Sequence, residues 1–247
     1  MTRVTLTLLA TILCLWLLLP VYARAAVAVD STNASIANAN NTTSVAWSHV
    51  AASNSNQILL VCAGAGSSTS GTTHASGVTF GSDTLTEVPS SFVYDGWDGV
   101  SLWYKLTPTV QTANITITFP AIPTMLSGIA AALNGVDVAG TPLGTANKLS
   151  GSSAAPSVSI SSATGELVVA CISSDSESGI TEGGTLVKKQ IGILADTSYG
   201  MEYYAGASSV SATYTQANTG WAIAGVSFKP SGVASAETFG FRRRRAP

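Results

Sequence analysis

Two carboxylates stand three residues apart in Tyr94-Asp-Gly-Trp-Asp-Gly99, with an indole between them. Asp95 and Asp98 could supply oxygens to Ca²⁺, which takes six to eight such ligands. Trp97 could offer a flat apolar face to a sugar ring. The same residues also spell a hairpin turn, because Asp-Gly is a standard dipeptide between paired strands. A second acidic stretch holds Asp175, Glu177 and Glu182. Two carboxylates facing each other across a cleft can hydrolyse a glycosidic bond. Sequence alone does not place Asp95, Asp98, Asp175 and Glu177 relative to one another.

The remaining reactive residue types are few. His49 and His74 are the only histidines, and no Gly-x-Ser-x-Gly elbow accompanies them. His49 alternates with Val45 and Trp47, the pattern of a partly buried strand residue. His74 lies in a Gly/Ser/Thr stretch and is expected in solvent. Gly64-Ala-Gly66 follows an apolar run, but Thr69 occupies the third glycine position of a dinucleotide loop and no helical pattern follows. Neither a Cys-x-x-Cys pair nor a His-Glu-x-x-His run occurs, so a zinc site is not expected. Cys62 and Cys171 each sit inside an apolar run. They read either as a disulfide, in an oxidising compartment, or as two separate buried thiols.

The elements that must position these residues are strands. Of 247 residues, 33 are Ser and 29 are Thr, while charged residues make up 10%. That scarcity of Glu, Lys and Arg excludes helical bundles, and the 46% hydrophobic content excludes a disordered chain. A net charge of −2 argues against a dedicated nucleic-acid binder. Asn114-Ile-Thr-Ile-Thr-Phe119 alternates cleanly between apolar and polar, as a strand with one buried face does. Residues 57–63 and 166–172 are apolar on both faces and read as central strands. Short strands broken by Gly, Ser, Asn, Asp and Pro recur along the chain. The expected fold is all-β, a two-sheet antiparallel sandwich of jelly-roll type.

A weak internal repeat runs through this pattern. Residues 59–62 echo 168–171, 101–104 echo 201–204, 115–119 echo 210–214, and 128–131 echo 221–224, in unchanged order. Either the chain contains a duplication, or it shows the strand–turn monotony of any sandwich. Neither half promises a closed core alone, so one domain over 26–230 is expected.

The ends read as addresses. Met1-Thr-Arg3 is positive, residues 4–19 are mostly apolar, and Ala23-Arg24-Ala25 fits a small-x-small cleavage site. Residues 1–25 are therefore expected to be a secretory signal, leaving no membrane span in the mature chain. Residues 231–247 read as a disordered tail ending in Arg242–Arg245. Up to Pro230 the chain carries 5 Lys against 12 acids beyond the signal, so an acidic body bears a basic tip.

Taken together, Gly77-Val-Thr-Phe-Gly-Ser-Asp-Thr-Leu-Thr86, Ser101-Leu-Trp-Tyr-Lys-Leu106, residues 115–119 and Gly135-Val-Asp137 resemble uncharacterised bacterial secreted or cell-surface β-sandwich domains. In those, GVTYGG-x-x-LT, SLWYL and SGVD blocks follow one another. The resemblance covers most of 45–230. It implies a sandwich and export, secreted or at the cell surface, and no known reaction. Such domains often carry a C-terminal anchoring segment; here the Arg cluster has no apolar helix before it.

These observations lead to an exported, non-catalytic structural or interaction module without a resident cofactor. Its expected partners are polysaccharide or another copy of itself. The alternative is a carbohydrate-binding module, calcium-dependent or not, built on Asp95, Trp97 and Asp98. A glycoside hydrolase comes third.

Overall fold

Alternation decides most of the secondary structure. In β9 (Gln111–Thr118) the side chains of Ile115 and Ile117 are fully buried, while Thr116 and Thr118 face outward. By contrast, β3 (Ile58–Gly66) and β13 (Leu167–Ser174) are buried along their whole length. Both faces of these two strands must therefore be covered, as their unbroken apolar runs require. The computed structural model describes residues 26–193 and 197–232. The expected signal over 1–25 and the basic end of the tail over 233–247 lie outside the described residues.

Four antiparallel sheets form. The first inner sheet is ordered β1 (Ala28–Asn40), β10 (Met125–Asn134), β3, β8 (Asp98–Leu106), β6 (Thr86–Glu87), with β7 (Val93–Tyr94) also pairing with β8. Its outer partner is β2 (Ser44–Ala51), β9, β4 (Gly77–Phe80), β5 (Asp83–Thr84). The second inner sheet is β11 (Asn147–Ser153), β18 (Thr219–Phe228), β13, β16 (Thr197–Ala205), β15 (Thr185–Ile193). Its outer partner is β12 (Ser157–Ser161), β17 (Ser209–Thr215), β14 (Thr181–Glu182). A single turn of helix, α1 (Ser70–Thr73), follows β3. Residues Ala26–Ser231 form one unit.

The all-β antiparallel sandwich expected from the pattern is present, with four sheets rather than two. Three apolar layers hold them. Ile58, Leu60, Cys62 and Leu102 of the first inner sheet meet Val169, Cys171, Met201 and Phe228 of the second in the central layer. On the opposite side of the first inner sheet, Leu59, Val61 and Trp103 pack on Phe80, Ile115 and Ile117. Beyond the second inner sheet, Val168, Ala170 and Ile172 pack on Ile160, Ala212 and Tyr214. The double-faced apolar character of β3 and β13 is what turns one sandwich into two stacked back to back.

Strand by strand, the two halves follow the same order: β1, β10, β3, β8, β6 against β11, β18, β13, β16, β15, and β2, β9, β4 against β12, β17, β14. Cys62 lies opposite Leu102 and Ile129, and Cys171 lies opposite Met201 and Ala224. The registers thus match Leu102 with Met201 and Ile129 with Ala224. This differs by one and by two residues from the alignment the sequence suggests, because the echoing residues there are only similar in type.

Candidate functional site

The loop from Tyr94 to Asp98 is a hairpin turn joining β7 to β8. The backbone amide of Asp95 donates to the Asp98 carbonyl at 3.1 Å. Asp95 Oδ1 accepts the amides of Trp97 and Asp98 at 2.8 and 2.7 Å. The left-handed backbone of Gly96, at φ +121°, is where a residue without a Cβ is needed. Tyr94 braces the turn: its hydroxyl donates to the Gly96 carbonyl at 2.6 Å and lies 2.9 Å from the Ser67 carbonyl, its alternative acceptor.

Asp98 points inward. It is 0% exposed, and the Ser173 hydroxyl donates to its Oδ1 at 2.8 Å. Burial pushes its carboxyl well above the usual carboxylate range, the Ser173 hydrogen bond opposes that, and the nearby Asp95 and Asp175 push it further up. Trp97 is half-buried against the central layer. Its Nε1, Asp98 Oδ2 and the Tyr199 hydroxyl are buried polar atoms without a hydrogen-bond partner. The structure thus brings Asp95, Trp97 and Asp98 together, with two of the three turned toward the interior. Asp175 joins them around Gly220, where a Cβ would stand 2.5 Å from Asp95 Oδ2 and 3.9 Å from Asp175 Cβ. Glu177 is exposed two residues further on. Among the described residues, no three His, Cys, Asp or Glu side chains are grouped to hold a metal ion.

His49 is 2% exposed on the inward face of β2. Its Nδ1 lies 2.8 Å from the Ser35 hydroxyl, and Trp47 Nε1 donates to the same oxygen at 2.8 Å. A serine accepting from Trp47 and donating to Nδ1 fits an imidazole protonated at Nε2. Burial lowers the imidazole pKa to about 4, with Asp30 acting in the opposite sense. A hydroxyl beside an imidazole is the beginning of a hydrolytic pair, but so weak a base in so closed a place serves packing. Ser35 was missed in the sequence because it comes from β1, whose pairing shifts register between Asp30 and Ser35.

The open chemistry lies at the edge of the first inner sheet. Adjacent residues of a strand leave opposite faces, and here Trp103 and Tyr104 each line a different cleft. The Trp103 cleft, about 480 Å³, is also lined by His74, Glu87, Phe92 and Pro120. His74 and Glu87 are 40% and 29% exposed; His74 Nε2 stands 3.1 Å from both Glu87 oxygens. The imidazole stacks on Phe92 at 4.0 Å and 11°. His74, expected free in solvent, is instead held on two sides. The Tyr104 groove, about 500 Å³, is lined by Val88, Pro89, Ser90, Tyr104 and residues 140–146, with no charged side chain.

Both clefts exist because the covering strand is short. β6 has two residues, placing Thr86 beside Tyr104 and Glu87 beside Trp103. In the second half β15 has nine residues and places Thr185 beside Tyr203 and Leu186 beside Glu202. Glu202, at the place matching Trp103, is fully buried and accepts from the Gly184 amide and the Tyr204 hydroxyl, each at 2.8 Å. Burial pushes its carboxyl up to about 7, against those hydrogen bonds. Nearby, Glu182 pairs with Lys189 at 3.0 Å.

Cys62 and Cys171 are free thiols in the central layer. No protein-family model matches the chain, and no curated protein is detectably similar to it.

Proposed function

We propose that the chain is an exported, non-catalytic interaction module that holds an uncharged saccharide in the Tyr104 groove. The observation that carries this reading is the lining of that groove: an aromatic ring, two prolines and Leu143, with Ser90, Thr141 and Thr145 hydroxyls and no charged lining residue, the Lys229 ammonium donating to Thr141 Oγ1 at 3.1 Å. Apolar sugar faces pack on aromatic rings, while convergent hydroxyl and backbone groups meet the sugar hydroxyls. Asp98 and Glu202, the carboxyls best shifted for acid–base work, are both fully buried in the interior. That favours binding over glycoside hydrolysis. The charge pattern at Met1–Arg3, the apolar run and Ala23-Arg24-Ala25 support export. The matched strand order supports the view that the halves arose by duplication.

The reading gives Ca²⁺ no part, since Asp95 Oδ1 already serves two amides and Asp98 is fully buried with Oδ1 held by Ser173. A glycan array probed with the full chain, with and without chelator, tests it. Binding to neutral glycans that persists in chelator and falls at least tenfold in Tyr104→Ala is expected. An array without any signal, or signal indifferent to Tyr104→Ala, would refute it. Self-association on a sizing column together with a silent array would favour another copy of the chain as the partner.

A further inference from the structure

We propose that Cys62 and Cys171 are the two ends of an inter-sheet disulfide, formed while the chain folds in an oxidising compartment. They occupy matching places on the central strands of the two inner sheets, and both side chains enter the same central layer. The Cys62 thiol is among the groups that raise the Cys171 thiol, so the two are near neighbours within that layer. Bridges between central strands of packed sheets pin other sandwiches together.

Sheets stacked face to face normally lie about 10 Å apart, whereas a disulfide needs Cα atoms within about 7 Å. Small residues allow the closer approach. Ala131, Ala222 and Ala224 line the layer beside the thiols, and Ala224 is the direct neighbour of Cys171. Two positions from Cys62, Gly64 lies so close to the Tyr199 ring that a Cβ there would fall 2.2 Å from its Cε1.

The exchange balances with a disulfide donor such as oxidised glutathione. One cysteine thiolate attacks the donor, giving a mixed disulfide and one released glutathione thiolate. The second cysteine thiolate then displaces the other glutathione. Two protein thiols and one oxidised glutathione become one protein disulfide and two reduced glutathiones. Both cysteines are buried, and burial together with the neighbouring thiol pushes Cys171 well above the usual thiol range. The reaction therefore precedes closure of the central layer. Its oxidising compartment comes from the export reading; the chemistry is independent of any saccharide.

The test uses the full chain carrying Cys14→Ser, so that only these two cysteines remain. The protein is reduced in denaturant, refolded with oxidised and reduced glutathione, then denatured again with an alkylating agent. Expected are a mass two hydrogens lower with no alkyl group added, and a joined peptide containing both cysteines. The bridged form should unfold with an equilibrium constant roughly a thousandfold smaller than the dithiol form, for a loop of about 110 residues. Complete alkylation of both cysteines after refolding would overturn the proposal. So would a bridge whose denaturation midpoint falls below that of the dithiol form.

Discussion

The Ser173 hydroxyl of β13 donates to Oδ1 of Asp98 on β8, tying the two inner sheets across the central layer at 2.8 Å. Burial pushes the Asp98 carboxyl up, so folding favours its protonated form, which an amide mimics. Asp98→Asn keeps the acceptor and is expected to change stability by less than about 1 kcal/mol at pH 7. Asp98→Ala orphans Ser173 in a buried place and should cost about 1–3 kcal/mol. Chelator should leave the melting temperature unchanged. Urea titrations of both variants, and melts with and without chelator, check this. A chelator-induced drop of several degrees would show a bound cation and overturn this reading of the turn.

Glu202 and His49 should pull stability in opposite directions with pH. The Glu202 carboxyl rises from 4.5 to about 7 on folding, so the folded state holds its proton more tightly. Its contribution is complete below about pH 4.5 and is lost as pH rises toward 7. The His49 imidazole falls from 6.5 to about 4. Its contribution is present above about pH 6.5 and is lost as pH falls toward 4. Glu202→Gln should remove the first slope, with the gap between the two proteins changing by about 2–3 kcal/mol between pH 4.5 and 7.5. Denaturant midpoints at several pH values measure it. Parallel curves for the two proteins would refute the assignment.

Gly128 and Gly64 mark two close approaches between sheets. A Cβ at Gly128 would stand 2.3 Å from the Trp47 ring and 2.5 Å from Ile117 Cδ1; at Gly64 it would meet the Tyr199 ring at 2.2 Å. Both backbones have ordinary φ, so contact rather than conformation excludes a side chain. Gly128→Ala and Gly64→Ala should each cost about 1–3 kcal/mol or more by overpacking. Ala at Gly77, where a Cβ would meet nothing within 4 Å, should be tolerated. Thermal melts of the three variants give the comparison.

Much of this architecture was legible in the alternation of single strands. β9 declared its buried face, and β3 and β13 declared two. The number of layers was not legible, because a strand pattern says that a face is covered and never by what. Asp98 could have been placed: counting back in twos from Leu102 through Val100 puts it on the inner face. The Tyr104 groove had no such signal. It depends on residues 140–146 of the connection between halves lying beside Pro89 and Tyr104, a contact set by topology rather than by local spacing. Likewise Ser35 reached His49 only through an irregularity in β1.

The shared central layer also sets an order of events at the ribosome. The first inner sheet is complete once β10 has emerged, yet the face carrying Ile58, Leu60 and Cys62 finds its cover only when β13, β16 and β18 follow. For the time needed to synthesise that second half, a nascent chain would present a broad greasy surface to its surroundings. A fragment ending near Asn134 should accordingly precipitate or recruit a holdase, and the full-length chain should depend on one until its last strand is made.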